Sequence, residues 1–348
     1  VNQTISGRSR EVPFQVEDWG SNYRVPLGLT SNASLFGDRQ MIVFLVNHNV
    51  QKVTLWWDGR DTANQTPNAF TNRYFTGDNP ASRQLTNGIL TITISSDYRT
   101  ITSSVTGGSI TSTASFMRIN NVNPTYGAGP SYVIYKGIVR DIVQQEAEWS
   151  GGVSNSPNVY SQMYFTLPAN ATYYTYALRA IFVDSSQSRT LTDLSAIRLS
   201  VLGGSPSQRT ENGTSGGYPI SSSATGLFYN FTSAGFQTGW AHHWSEFISS
   251  SSPYPGSGIM FRDDANRKLY RFDSIAGQKT GALKVDTSNR YIEYNPVGRA
   301  SYPASFQYAL DTAWHGAVVT FNGEPIYPTS GNSGLWTIVE YPPTVAVD

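Results

Sequence analysis

The stretch Trp240-Ala-His242-His243-Trp244-Ser-Glu246 sets half of the chain's four histidines beside two tryptophans and a carboxylate. On a helical turn His242 and Glu246 share a face, and an imidazole next to a carboxylate can ligate Zn²⁺ or move a proton. No third ligand follows at a recognised spacing, and His48 and His315 join the group only if the fold brings them there. The commoner use of such a segment is a buried aromatic strand, and that reading is favoured.

Asp263, Asp264 and Asn266 form a second group rich in oxygen ligands. Neighbouring carboxylate and amide oxygens suit Ca²⁺, the one cofactor the sequence suggests. The same residue types build turns by bonding their own backbone, and the regular Asp-x-Asp-x-Asp-Gly spacing is missing. Asp58-Gly-Arg-Asp61, after Trp56-Trp57, divides in the same way between a metal or sugar site and a turn. Glu146 and Glu148 project to one side of an extended segment, and Asp141, Glu246 and Glu293 are the other carboxylates considered for glycoside hydrolysis. That chemistry needs two carboxyl groups about 5–10 Å apart, a separation only a fold can set. No nucleophile elbow, phosphate-binding loop, His-Glu-x-x-His or dinucleotide motif occurs, so no catalytic residue is expected.

Asn-x-Ser/Thr sequons lie at Asn2, Asn32, Asn64, Asn170, Asn212 and Asn230. Given the Asn, Ser and Thr content, random placement yields roughly five such triplets, so six is no enrichment. They are candidate glycan sites, with Asn212 the one expected to be most accessible.

The elements that would carry these residues read as strands from end to end. Leu90, Ile92 and Ile94 alternate with Thr91 and Thr93 just after an Asn87-Gly88 turn signal. Tyr174, Tyr176, Leu178, Ala180 and Phe182 form one face of a longer strand. Further strands are expected at 132–139, 197–202, 258–261, 269–272, 282–285, 291–294, 306–310, 317–321 and 335–340. Helical periodicity is nearly absent, and the class is all-β: an antiparallel β-sandwich or jelly roll. Gly203 to Gly226 is almost empty of apolar residues, which predicts a polar linker or loop at 206–226 between sandwich domains at 1–205 and 227–348. One large jelly roll carrying that stretch as a loop is the alternative.

Charged residues are only 14% of the chain, and Lys+Arg 24 cancels Asp+Glu 24, so no field is available to attract nucleic acid. Ser, Thr, Asn, Gly and 21 Tyr take their place, a polar surface that bonds without dependence on pH or salt. With Cys 0, disulfides and thiolate chemistry are excluded. The longest apolar run, Met41 to Val46, is far short of the ~20 residues of a membrane helix, so no membrane span is expected. The polar residues after Val1 read as the start of a processed, mature chain or of a trimmed one, with the first slightly favoured.

Val12, Phe14 and Val16 alternate near the N-terminus, and Pro13 suits an edge strand. Such a strand can complete a sheet in a neighbouring subunit or pair within its own chain. The segments from Gly258 to Ser274 (Gly-Ile-Met-Phe-Arg-Asp-Asp-Ala-Asn-Arg-Lys-Leu-Tyr-Arg-Phe-Asp-Ser), Thr280 to Val285 and Trp314 to Gly323 resemble parts of large secreted surface proteins of thermophilic archaea. The resemblance covers the last third of the chain and implies a β-sandwich ectodomain at the cell surface, often glycosylated. The resulting expectation is an extracellular structural protein that assembles with itself into a filament, sheath or surface layer, by terminal-strand exchange. Two alternatives stand beside it. One is a carbohydrate-binding or adhesion module that stacks Trp56 or Trp244 on surface glycans; the other is a glycan-cleaving enzyme using Glu246, His242 or His243.

Overall fold

A computed structural model describes residues 2–18, 28–29, 40–44, 52–54, 83–96, 99–119, 125–135, 137–150, 159–182, 189–191, 194–204, 208–212, 219–222, 226–231, 244–249, 255–261, 281–286, 288–295, 300–302 and 310–322. Every regular element among them is a strand, and the pairing is antiparallel, as the alternation predicts. The N-terminal strands are β1 (Asn2–Ile5), β2 (Arg8–Glu11), β3 (Phe14–Asp18), β4 (Gly28–Leu29), β5 (Gln40–Phe44) and β6 (Lys52–Thr54). Then come β7 (Gln84–Thr86), β8 (Leu90–Ile94), β9 (Thr100–Val105), β10 (Ile110–Ile119), β11 (Thr125–Tyr135), β12 (Arg140–Ser150), β13 (Val159–Pro168), β14 (Tyr173–Phe182), β15 (Arg189–Leu191) and β16 (Leu194–Gly203). The last group is β17 (Gln208–Asn212), β18 (Pro219–Ser222), β19 (Gly226–Phe231), β20 (Trp244–Ile248), β21 (Pro255–Phe261), β22 (Gly281–Asp286), β23 (Tyr291–Asn295), β24 (Ala300–Tyr302) and β25 (Leu310–Asn322).

Two large sheets dominate. One has eight strands in the order β19-β22-β23-β16-β10-β9-β8-β7, the other nine in the order β11-β12-β13-β14-β25-β21-β20-β17-β18. Smaller sheets are β2-β1-β6, β4-β3-β5 and β15-β24. In β8, Leu90, Ile92 and Ile94 are buried and Thr91 and Thr93 half-buried, the division their alternation requires. The turn before them holds because Gly88 takes a φ of +86° and Asn87 Oδ1 accepts from the Ile89 and Leu90 amides.

The core lies between the large sheets. Ile101, Ala114, Phe116, Ile197 and Leu199 from one face Phe165, Tyr176, Val318, Ile259 and Phe247 from the other. The Phe116 ring sits 4.9 Å from Phe165 and 5.7 Å from Tyr176, and removing a ring so enclosed costs about 3–5 kcal/mol. Amid these apolar side chains is a four-hydroxyl cluster. Thr320 Oγ1 lies 3.0 Å from Ser103, 2.8 Å from Ser112 and 3.1 Å from Ser257, and Ser103 and Ser112 are 2.7 Å apart. Ser257 also donates to the Val319 carbonyl at 2.8 Å. Because a buried hydroxyl without a partner costs about 1–3 kcal/mol, the cluster holds the two sheets in one relative register.

Three expectations meet a different outcome. The residues of 206–226 carry β17 and β18, which continue the nine-stranded sheet through β20. Both large sheets cross the expected boundary, since β14 pairs with β25 and β16 with β23. Pairing with Trp244–Ile248 draws Gln208–Asn212, a segment of charged and amide side chains around one Thr, into a strand that its own propensity does not favour. The strand expected at 132–139 stops at Tyr135. Beyond it, Gln15 Oε1 accepts from the Val139 and Arg140 amides at 2.8 and 2.9 Å, and its Nε2 donates to the Arg140 carbonyl, so a side chain takes the place of a strand partner. Gly137 is required there, because a Cβ would strike Gln15 Oε1 and the Arg140 carbonyl. The strands expected at 269–272 and 335–340 lie outside the described residues, as does most of that at 306–310.

Tyr174 is fully buried on the inner face and its hydroxyl has no partner among the described residues. Burial pushes its pKa well above the ordinary tyrosine value, so alkaline pH ionises this residue first in the unfolded chain and favours unfolding. Tyr174→Phe is therefore expected to keep or raise stability, by up to about 1 kcal/mol, whereas Thr320→Val loses roughly 1–2 kcal/mol. Urea unfolding of both variants checks this, and a clear loss for Tyr174→Phe contradicts it.

Candidate functional site

The residues expected to do chemistry are scattered. Glu246, on β20, is fully buried and its backbone lies between Thr210 and Gly258. His315 stands four positions along β25 from Val319, the residue in line with Glu246, which is about 13 Å at the rise of an extended strand. Trp244 opens β20 opposite Met260. Glu146 and Glu148 share one face of β12, where Gln162 and Tyr160 stand opposite them. Asp141 belongs to the other face, is fully buried, and accepts from the Gly137 amide at 2.9 Å, a turn-holding role. Glu293, in the other large sheet, lies 3.4 Å from Arg118 and 4.0 Å from Arg198. The fold thus separates Asp141 from Glu146 and Glu148 by face, Glu293 from the other four by sheet, and β12 from β20 by five strand steps of about 4.8 Å; of the five, only Glu146 and Glu148 stay together, two positions apart on one strand. Among the described residues, no three His, Asp or Glu side chains group as metal ligands. The sequon asparagines Asn2, Asn212 and Asn230 stand on β1, β17 and β19. Trp56, Asp58, Asp61, His48, His242, His243, Asp263, Asp264 and Asn266 lie outside the described residues, as do the sequons at Asn32 and Asn64.

The N-terminal strand offered for exchange between subunits is occupied by its own chain. β3 is the middle strand of its sheet, with Phe14 opposite Phe44 and Val16 opposite Ile42 on one edge and β4 on the other. Val12 is buried, and Gln15 is fastened to the β11–β12 turn.

What the fold does assemble is a face. On β7 to β10, the side turned away from the core carries Gln84 and Thr86; Thr91 and Thr93; Thr100, Thr102 and Ser104; Thr111, Thr113 and Ser115. Register aligns them in rows. Thr86, Thr91, Ser104 and Thr111 form one row; Thr93, Thr102, Thr113 and Ser200 form the next. Strand spacing and pleat set the backbone positions that carry them on a net of about 4.8 by 6.8 Å. Within the rows, the Thr86 and Thr91 hydroxyls are 3.1 Å apart and those of Thr102 and Thr113 3.4 Å. All are half-buried, and none of these ten positions is ionisable. Charge enters at the end of β10, where Arg118 lies 3.4 Å from Glu293, and on β16, where the Arg198 guanidinium lies 3.7 Å from the centre of the Tyr291 ring and beside Glu293. The sequence signal was hydroxyl residues at alternate positions in three successive strands, a pattern that also marks any solvated strand face.

No protein-family model matches the chain, and no curated protein matches it. Among solved structures, similar ones include an alpha-galactosidase from Lactobacillus brevis (TM-score 0.35, 9% identity, 60% of this chain and 29% of that one) and an alpha-mannosidase from Enterococcus faecalis (TM-score 0.35, 9% identity, 72% and 30%). A TPR-domain containing protein from Parabacteroides distasonis is also similar, with a TM-score of 0.32, 9% identity and coverage of 75% and 50%. The matches span half or less of those chains, and likenesses this distant transfer neither fold nor chemistry.

At the charged end of the face, Asp286 closes the β22–β23 turn: it accepts from the Asn289 side chain and the Asn289 amide, each at 2.8 Å. These bonds, the side-chain one first, hold its pKa below the ordinary carboxylate value. The stabilisation is present above the unfolded-state pKa and is lost as pH falls through the folded-state pKa. Asp286→Asn should lower the melting temperature slightly at neutral pH and not at all once the carboxylate is protonated. Equal differences at neutral and acid pH would show that the ionised form contributes nothing.

Proposed function

We propose that this chain is an extracellular structural protein whose copies associate through the uncharged hydroxyl face of β7 to β10, building a filament, sheath or surface layer. The observation that carries the proposal is the alignment of Thr and Ser in rows over four strands with no ionisable side chain among them. Each hydroxyl both donates and accepts, so the face is complementary to a copy of itself. Without charge, the association is indifferent to salt and pH. The formal net charge of +0 and the 14% of charged residues leave little long-range repulsion between copies. Strand exchange is the less supported route, because both edges of β3 are engaged within the chain. Composition and the resemblance of the C-terminal third support the extracellular location.

A neutral surface glycan is the alternative partner, since sugar hydroxyls meet the same rows by the same bonds. Stacking on Tyr291 adds little to it, because Arg198 covers one side of that ring.

The test is to place three charges in the middle row with Thr93→Lys, Thr102→Lys and Thr113→Lys, following association by sedimentation and electron microscopy. Wild-type protein should associate equally at low and high salt, and like charges brought face to face should weaken association of the variant by about a hundredfold or more. Far-UV circular dichroism should stay unchanged. Association that survives the triple substitution removes the proposal. A monomeric wild type that binds a neutral glycan and loses it on substitution selects the alternative.

A further inference from the structure

The hairpin between β13 and β14 carries the sequon Asn170-Ala171-Thr172. Asn170 is exposed at its tip and takes a φ of +55°, a left-handed conformation that Asn tolerates better than most residues. Around it the turn is pinned from three sides. Asn87 Nδ2 donates to the Pro168 and Ala171 carbonyls at 2.6 and 2.9 Å, the Ala169 amide donates to the Val139 carbonyl at 2.8 Å, and the Thr320 amide donates to the Thr172 carbonyl at 2.9 Å. The Thr172 hydroxyl is shut away from solvent and has no hydrogen-bond partner among the described residues. Acceptor and hydroxyl of one sequon are therefore treated oppositely: the asparagine faces water, and the threonine oxygen is sealed in.

We propose that Asn170 is an N-glycan attachment site that is filled only before the hairpin docks, because the finished fold withdraws the Thr172 hydroxyl on which the sequon depends. The donor is an oligosaccharide linked through phosphate to a lipid carrier. The Asn170 amide nitrogen forms a bond to the anomeric carbon, and the bond from that carbon to the phosphate oxygen breaks. The lipid phosphate leaves with the electron pair, and the amide nitrogen gives up one proton. A glycan on an exposed turn tip projects away from both sheets, so the modified chain folds as the unmodified one does. Docking then closes the site, and a chain that folds first stays bare at this position. The inference rests on the extracellular reading, since only a secreted chain meets such a transferase.

Two measurements test it. First, the full chain is translated into membranes that hold the transferase and its lipid-linked donor, and separately the folded, unmodified chain is given the same transferase in detergent; mass spectrometry then reads occupancy at Asn170. Occupancy is expected in the first case, with at least a tenfold loss in the second. Asn170→Asp and Thr172→Val should each abolish it while leaving the melting temperature within a few degrees. Equal occupancy of the folded chain overturns the timing. Second, glycopeptides of the native protein are mapped. Glycan at Asn170 supports the proposal, and a bare Asn170 beside other occupied sequons overturns it, leaving a turn-forming asparagine only. A native chain without glycan at any of its six sequons overturns the extracellular reading and this inference with it.

Discussion

The hydroxyl of Thr320 lies where the two large sheets meet, and the strand that carries it ties the chain before residue 206 to the chain beyond residue 226. β25 hydrogen-bonds β14 along one edge and β21 along the other, while Thr320 reaches Ser103 and Ser112 in the opposite sheet. Apolar packing around Phe116 supplies most of the attraction between the sheets, but packing alone tolerates small slides. A four-hydroxyl cluster does not, because any displacement leaves buried donors and acceptors without partners. Gln15 and Asn87 repeat the device at the turns, each using one amide to fasten a neighbouring hairpin.

The same chemistry faces outward with a different effect. Inside, hydroxyls pair with each other and specify register; on the outer side of β7 to β10 they stand in half-buried rows. The alignment there follows from the core, since Leu90, Ile92, Ile94, Ile101 and Ile110 fill the inner side beneath the Thr rows of four strands in register. A chain poor in charge and free of cysteine depends on this division of labour. Its polar residues close the sandwich on one side of the sheet and, on the other, form the rows proposed as the contact between copies.

Much of the fold is legible in local pattern and little of it in spacing. The Leu90 to Ile94 alternation and the Asn87-Gly88 turn read correctly because strand period and turn chemistry are properties of neighbouring residues. The hydroxyl cluster is invisible in sequence, since it joins positions 103, 112, 257 and 320, and nothing in Ser or Thr alone distinguishes a buried partner from a solvated one. The polar stretch at 206–226 reads as linker because its strands take their stability from β20 rather than from their own side chains. The Trp240 to Glu246 stretch stands out for its histidines and carboxylate, yet Glu246 belongs to a strand that burial closes to solvent. The same-side placement of Glu146 and Glu148 is legible because it follows from strand period, whereas Asp141 falls on the opposite face of β12, and Glu293 and Glu246 lie in different sheets, which only the fold decides.

The working surface proposed for this protein is the hydroxyl face and not a terminal strand. The most direct measurement is an electron cryomicroscopy reconstruction of the assembled protein at a resolution that traces strands. It should show Thr93, Thr102 and Thr113 of one copy within the contact to the next, with β3 still paired to β4 and β5 of its own chain. A reconstruction in which β3 or another terminal segment completes a neighbour's sheet, while the Thr rows stand free in solvent, would contradict the account.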